Sequence, residues 1–255
     1  MTGFHIVIPA RYGSGRLPGK PLLDIAGKSM IQRVVETAGC SGASSVTVAT
    51  DDERICSVVE AFGGNAMMTS LTHRTGSDRI AEACGLLGFQ DSEMVVNLQG
   101  DEPMMPPELI DQVARLLASH PQAHMATLST PLENQEQFLD PALVKVVTNH
   151  LGMALYFSRA PIPWMRAESS SDLAAQGYSL AQRHLGIYAY TSGYIREFAA
   201  RNPCDLEKIE RLEQLRTLWQ GESIACAEAV IVPPAGVDNQ QDLDRVRRLY
   251  AAGAE

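Results

Sequence analysis

The feature that most constrains this chain is an apolar run at residues 4–8 that empties directly into a turn rich in glycine and positive charge. The run reads as a buried strand. The turn carries Gly13, Gly15 and Gly19 together with Arg11, Arg16 and Lys20, and no acidic residue follows before Asp24. Glycines let a backbone approach a ligand closely and point its N–H groups inward, and such nests suit phosphate oxygens. Arginine forks two bonds to an oxyanion, while lysine acts as a mobile point charge. A strand, a glycine turn and spaced cations in that order predict a polyphosphate site in an α/β fold. The competing reading, a solvated basic loop after an edge strand, is the less economical one.

Composition narrows the class. The chain has 255 residues, enough for one α/β domain with a sizeable core, and its 45% apolar and 20% charged content fits a soluble globular protein. A formal charge of −9 argues against non-specific nucleic-acid binding, so positive charge for an anionic substrate must be gathered locally. No apolar run approaches the length of a membrane span, and the first residues do not read as a secretory leader. Five cysteines, widely spaced and without a Cys-x-x-Cys pair, predict free thiols and a cytoplasmic setting rather than disulfides or zinc.

Along the chain, helical and strand periods alternate. Ser29-Met30-Ile31-Gln32 has the capping-box pattern and opens a helix ending near Gly39. Residues 45–50 read as a second strand ending at Asp51-Asp52, two carboxylates that either cap the next helix or form a paired-acid site, capping being favoured. Residues 66–69 form a short third strand. Thr75-Gly76-Ser77-Asp78-Arg79 opens another helix, and its glycine and hydroxyls serve either as a plain cap or as a contact for an anion or base edge. Residues 94–98 form a continuous apolar run, fitting a central parallel strand that delivers Gln99-Gly100-Asp101-Glu102 at its carboxyl end. Ligands in open α/β sheets sit there, and Asp101 can hold a hard divalent cation or simply form a turn. Glu102 is read as structural. A helix from Pro106-Pro107-Glu108 and a strand at 124–130 complete a strand–helix alternation that predicts a mostly parallel sheet.

After Pro131 the rhythm changes. Residues 144–148 and 153–158 read as an antiparallel pair, 166–182 as a polar mobile loop, and 183–190 as a strand. Residues 203–221 read as one helix burying Leu206, Ile209, Leu212, Leu215 and Trp219, which turns Glu213 and Gln214 to other faces, toward ligand or solvent. Residues 224–232 form a last strand, and a closing helix carries Asp242, Leu243, Val246 and Leu249. Taken alone, His184 reads as a structural histidine, Tyr188 as half-buried strand packing, and Asp238 as a helix cap or a ligand.

The stretch from Pro9-Ala10-Arg11-Tyr12 to Arg16-Leu17-Pro18-Gly19-Lys20-Pro21-Leu22 resembles the signature of nucleotidyltransferases that couple a nucleoside triphosphate to a sugar. Its wording is most similar to the 3-deoxy-manno-octulosonate (Kdo) cytidylyltransferase family. The similarity continues in Asn97-Leu98-Gln99-Gly100-Asp101-Glu102-Pro103, Tyr156-Phe157-Ser158-Arg159, His184-Leu185-Gly186-Ile187-Tyr188, Leu212-Glu213-Gln214-Leu215-Arg216 and Gly236-Val237-Asp238, covering nearly the whole chain. One departure is Gly13-Ser14-Gly15, where the family usually has Ala-Ser-Thr or Ala-Ser-Ser; it shifts triphosphate contacts from side chains toward backbone. A second is Thr75-Gly76-Ser77 in place of Ser-Gly-Thr.

The resemblance implies a Rossmann-like nucleotidyltransferase fold, a mostly parallel central sheet flanked by helices, forming a single domain. Residues 1–130 would be its CTP-binding part, 131–200 a smaller sugar-binding and dimerisation lobe, and 201–255 a return to the main sheet. It implies CMP-Kdo synthesis from CTP and Kdo for lipopolysaccharide, with magnesium (one ion, and a second on the β- and γ-phosphates) and a homodimer. Lys20, Arg11, Asp101 and Asp238 would be catalytic, the two aspartates holding the metal. Pro9, Ala10, Arg11, Gly13, Ser14, Arg16, Lys20, Thr75, Gly76, Ser77 and Arg79 would bind the nucleotide. Gln99, Arg159, His184, Tyr188, Glu213 and Gln214 would bind the sugar, Arg159 through its carboxylate. Rival readings are the same chemistry on the 8-amino analogue of Kdo or another sugar acid, or a catalytically silent nucleotide-binding protein.

Overall fold

A computed structural model of the protein describes residues 3–13, 17–164, 178 and 181–252. Two of the nucleotide-binding candidates, Ser14 and Arg16, and nearly all of the expected loop at 166–182 lie outside the described residues.

The alternation of apolar strand and amphipathic helix builds a three-layer α/β/α domain. Strand β1 (Phe4–Ala10) is followed by the two-residue strands β2 (Asp24–Ile25) and β3 (Lys28–Ser29), helix α1 (Met30–Gly39), β4 (Ser45–Thr50), α2 (Glu53–Ala61), β5 (Asn65–Met68), α3 (Gly76–Leu86) and β6 (Met94–Asn97). In the sheet, β6, β1, β4 and β5 lie side by side and parallel. Successive β1 side chains point to opposite faces, as a strand requires. Ile6 and Ile8 pack on the face covered by α1 and α2, while Val7 packs with Ile80, Ala83 and Cys84 of α3.

The chain continues through α4 (Pro107–Ser119), β7 (Met125–Pro131), α5 (Gln135–Leu139), β8 (Lys145–Thr148), β9 (Ala154–Ser158) and β10 (Gln182–Thr191). Strand β10 enters the middle of the sheet, antiparallel to both β6 and β7. Its far end also pairs with β8, and β8 with β9, as the expected antiparallel pair. The remaining elements are α6 (Ser192–Ala200), α7 (Asp205–Glu210), α8 (Leu215–Trp219), β11 (Ile224–Glu228), which pairs in parallel with β7, and α9 (Gln240–Ala252).

Several local expectations are corrected. The single helix expected over 203–221 is two short helices, because Arg211 adopts a left-handed backbone at φ 54° and ends α7. The break takes Ile209 and Trp219 out to solvent (78% and 55% exposed), while Leu212 and Leu215 stay buried. The last strand stops at Glu228, and Val230, Ile231 and Val232 beyond it are exposed. At the α2 start the roles divide: Asp52 caps the helix by accepting from Arg54 N at 3.0 Å, whereas Asp51 accepts from the buried Arg79 guanidinium at 2.6 Å. The reciprocal capping box is at α3, between Thr75 and Asp78; at α1 Ser29 accepts from Gln32 N, but the Gln32 side chain turns to Glu36.

Candidate active site

The carboxyl ends of β1 and β6 define the site. Gly100, after β6, passes close to β1: a Cβ there would stand 3.0 Å from the Pro9 carbonyl oxygen, a contact the backbone would have to relieve by a few tenths of an ångström. That close approach carries Asp101 to the strand edge. Across from it, Gly19 takes φ 65° and lies against the Tyr12 ring, folding the loop back so that Gly19 N donates to Tyr12 O at 3.1 Å. The turn places Lys20 at the mouth, where Nζ donates to Asp101 Oδ2 at 2.6 Å and stands 3.9 Å from Asp238 Oδ1.

Asp238 arrives from the other end of the chain. Val237 N donates to Asp101 O at 2.9 Å, and the Val237 side chain shares a small core with Leu17, Ile25 and Met30 and with Leu243 and Val246 of α9. The segments bearing Lys20, Asp101 and Asp238 are therefore held by packing rather than by the ion pairs alone. Glu102, beside them, has its carboxyl pushed up to about 8, chiefly by burial and then by the neighbouring Asp101 charge. It stays largely protonated at neutral pH and adds little negative charge to a site that must receive an anion.

A cleft of about 410 Å³ opens over this cluster, a size suited to a nucleotide. Pro9, Ala10, Arg11 and Lys20 form one wall; Thr75, Gly76 and Arg79 at the start of α3 form another; Gln99, Asp101, Glu213 and Asp238 close it. Gly76 sits where a Cβ would come within 3.3 Å of the Pro9 ring, so the α3 start presses on the end of β1. Gly13 is exposed and does not line the cleft. Arg79 is buried and committed, donating to Thr69 Oγ1 and Asp51 Oδ2 at 2.6 Å each. His73 and Arg74, which the sequence reading passed over, also line the cleft. They stand just before the motif at α3, and Arg74 is an exposed cation facing the same space.

A second cleft of about 210 Å³ adjoins the first and shares Gly76, Gln99 and Glu213 with it. Tyr188, Gln214, Ser77 and, unforeseen in the sequence, Asn97, Tyr190 and Arg211 line it. Tyr190 Oη, Glu213 Oε2 and Gln214 Nε2 are buried with no hydrogen-bond partner at good geometry. Asn97 stands near Tyr190, and Ser77 and Thr75 stand near Glu213. Burial raises the Glu213 carboxyl pKa more than those hydroxyls lower it. Buried polar atoms left without partners cost about 1–3 kcal/mol each, so the cleft is built for a ligand with several polar groups.

Two residues assigned to the sugar are not brought to either cleft. Arg159 donates from Nε to Glu210 O at 2.7 Å and from one terminal nitrogen to Pro141 O at 3.0 Å. Its guanidinium ties the β9 end to α7. His184 packs edge-on against Phe157 and beside Tyr188, and its Nε2 lies 2.9 Å from Thr127 Oγ1. That hydroxyl also reaches Leu185 O and Ile187 O at the bulge of β10. With its one proton on a carbonyl, Thr127 accepts from His184, so the imidazole carries a proton on Nε2. Burial, helped by Arg183, lowers the His184 pKa to about 3 and keeps it neutral.

Comparison with known proteins agrees with this layout. The cytidylyltransferase family model matches residues 5–224. The 3-deoxy-manno-octulosonate cytidylyltransferase of Idiomarina loihiensis is 53% identical over 98% of this chain and 99% of its own. That of Pseudomonas syringae pv. tomato is 51% identical over 98% and 99%. A solved CMP:2-keto-3-deoxy-manno-octonic acid synthetase complexed with CTP superposes with a TM-score of 0.89 at 42% identity, covering 98% of this chain and 99% of that one. A cytidylyltransferase from Leptospira borgpetersenii, 15% identical with a TM-score of 0.61, shares the fold. With the sheet, the cation-lined cleft and the paired aspartates in place, this chain belongs to the cytidylyltransferase family.

Proposed function

We propose that the protein joins CTP to 3-deoxy-D-manno-octulosonate, giving CMP-Kdo and pyrophosphate and so activating the sugar acid for lipopolysaccharide synthesis. The observation that carries this reading is the pair of adjoining clefts, one lined by cations and paired aspartates, the other by unpartnered buried polar atoms. The hydroxyl on C2 of the sugar acid attacks the α-phosphorus in line. A new O–P bond forms, the bond from the α-phosphorus to the bridging oxygen breaks, its electron pair leaves with pyrophosphate, and the hydroxyl proton passes to water. Such a transfer depends on positioning and charge neutralisation more than on covalent help.

Arg11 and Lys20 neutralise the triphosphate and the charge that grows on the leaving group. The N–H groups and hydroxyls at the α3 start receive the base. Gln99, Tyr188, Glu213 and Gln214 fix the sugar's hydroxyls beside the α-phosphate.

Asp101 and Asp238 fit a hard divalent cation. An ammonium already stands between their oxygens, and no cluster of three or more acidic, His or Cys ligands exists among the described residues. Two carboxylates completed by substrate phosphates and water form the donor set that magnesium takes. Held by Asp101 and Asp238, magnesium would supply charge neutralisation and would lower the pKa of the attacking hydroxyl.

We place the enzyme in the cytoplasm as a homodimer. All five cysteines are free thiols, no described helix is long and apolar enough to cross a membrane, and Leu151 and Leu155 at the β8–β9 hairpin are exposed. Light scattering on the purified protein tests the dimer. Pyrophosphate release with CTP and magnesium, comparing Kdo, its 8-amino analogue and sialic acid, tests the reaction. Release with Kdo supports it; release only with another sugar acid moves the substrate; CTP binding with no release turns the protein into a binder.

A further inference from the structure

Asp51 and Arg79 form an ion pair at 2.6 Å, with side chains only 16% and 4% exposed. Asp51 follows β4 and is not among the residues lining either cleft. Arg79 stands at the end of the first turn of α3, and its other terminal nitrogen donates to Thr69 Oγ1 at 2.6 Å, just beyond β5. Thr69 has one hydroxyl proton, which goes to Thr50 O at 3.0 Å, so the oxygen is left to accept from Arg79. Thr69 N donates to the same carbonyl at 2.8 Å. One guanidinium thereby ties the ends of two neighbouring strands to the start of a helix.

The segment between β5 and α3 is folded back onto that helix. Glu82, three residues after Arg79, accepts from Ser70 N at 2.7 Å and pairs with His73 Nε2 at 2.6 Å. What the network sets in place is the α3 start, where Thr75 and Gly76 line the first cleft and a Cβ on Gly76 would come within 3.3 Å of the Pro9 ring. Among the described residues Asp51 is the one carboxylate in ion-pair contact with Arg79. A buried ion pair is weak evidence for stability, since packed apolar side chains do as well; its best-attested use is to fix one arrangement.

We propose that Asp51 is a positioning residue for recognition of the cytosine base, acting through Arg79 and Thr69 to hold the α3 start against the end of β1. The inference rests on the reading of the α3 start as the base site. Cytosine and uracil differ in the hydrogen-bonding groups at C4 and N3, so donors and acceptors of fixed geometry are what separate them. The triphosphate is held mainly by charge, whose attraction changes little with a small displacement. Loosening the α3 start should therefore cost the choice of base before it costs the hold on phosphate.

The test is calorimetric binding of CTP and of UTP, with magnesium and without Kdo, to wild type, Asp51→Asn, Thr69→Val and Thr69→Ser. Wild type is expected to prefer CTP by about tenfold or more, the worth of one well-placed hydrogen bond. Asp51→Asn keeps the shape and removes the charge. Its CTP affinity should fall at least about threefold while its UTP affinity changes less than about twofold, so the preference shrinks. Thr69→Val should do the same, and Thr69→Ser, which keeps the hydroxyl, should retain the preference of wild type. A merely structural role would weaken both nucleotides by one factor, or lower the melting temperature alone; either result overturns the assignment, as does an undiminished preference in folded Asp51→Asn. Should Asp51→Asn not fold, the two Thr69 variants decide in the same way. Wild type that binds the two nucleotides equally, or neither, overturns the base site and the inference with it. The preference is read whether or not pyrophosphate is released, so failure of the catalytic reading is seen separately.

Discussion

Lys20 Nζ lies 2.6 Å from Asp101 Oδ2, a contact that joins the loop after β1 to the end of β6 across 81 residues of sequence. The same ammonium stands 3.9 Å from Asp238 Oδ1, so one cation is shared by the two carboxylates assigned to the metal. Asp101→Asn keeps the shape and a hydrogen-bond acceptor for Lys20 but removes a full negative charge. Turnover should fall about a thousandfold, with a melting temperature close to wild type, and chelation of magnesium should abolish wild-type turnover. Near-normal turnover of the variant with magnesium would remove Asp101 from the metal site.

Gly100 is a steric requirement of the cleft. A Cβ at this position meets a backbone carbonyl at 3.0 Å rather than a flexible side chain, so Gly100→Ala should shift the end of β1 or the Gly100 backbone by a few tenths of an ångström. The expected cost is about 1–3 kcal/mol in urea unfolding. Turnover should drop further than stability does, because Asp101 is the next residue. An alanine variant with wild-type stability and kinetics would show that the strand ends give way freely.

Among the described residues Glu207 and Arg216 form the most buried ion pair, their side chains 8% and 2% exposed. Arg216 also donates to Phe198 O at 3.0 Å and Arg201 O at 3.2 Å, so it bridges α6, α7 and α8. Glu207→Ala leaves that guanidinium buried without its counter-ion and should cost about 3–5 kcal/mol. Chemical denaturation of the variant measures it, and a loss below about 1 kcal/mol would mean the corner is held by packing alone.

His184, partly buried in β10, gives a pH signature with a definite sign. Its folded pKa, about 3, lies below the usual value of 6.5. Between those values the unfolded chain binds the extra proton, so stability is full above pH 6.5 and declines as pH falls toward 3. This one group contributes a slope of up to about 1.4 kcal/mol per pH unit. His184→Gln should flatten the slope between pH 6 and 4 relative to wild type in urea melts at each pH. Parallel curves for the two proteins would show that His184 is protonated when folded.

How much of this was legible in the sequence depends on how local each signal is. Strand β1 and the turn after it could be read because an apolar run, glycines and cations follow one another within a few residues. The parallel strands and their helices were legible from alternating periods of two and 3.6. The break at Arg211 was not. Leu206, Ile209, Leu212 and Leu215 keep a helical spacing across it, and arginine is no turn residue, so the left-handed corner is set by tertiary contacts to Glu210 and Glu207. The pairing of Asp51 with Arg79 was hidden for a similar reason: it spans 28 residues, whereas a cap at Asp52 is written locally. The insertion of β10 between β6 and β7 is a choice of topology, and the strand's own residues say nothing of its neighbours. Arg159 sits in a motif that names its type, but only the fold shows its donors meeting main-chain carbonyls.

The most direct test of the account follows the phosphorus atoms themselves. The protein is mixed with CTP, Kdo and magnesium and watched by ³¹P NMR. The account predicts that the α-phosphorus signal of CTP is replaced by that of a sugar phosphodiester, with one equivalent of pyrophosphate formed for each. Conversion of CTP to CDP and phosphate, release of CMP without a diester, or an unchanged spectrum from folded enzyme would contradict it.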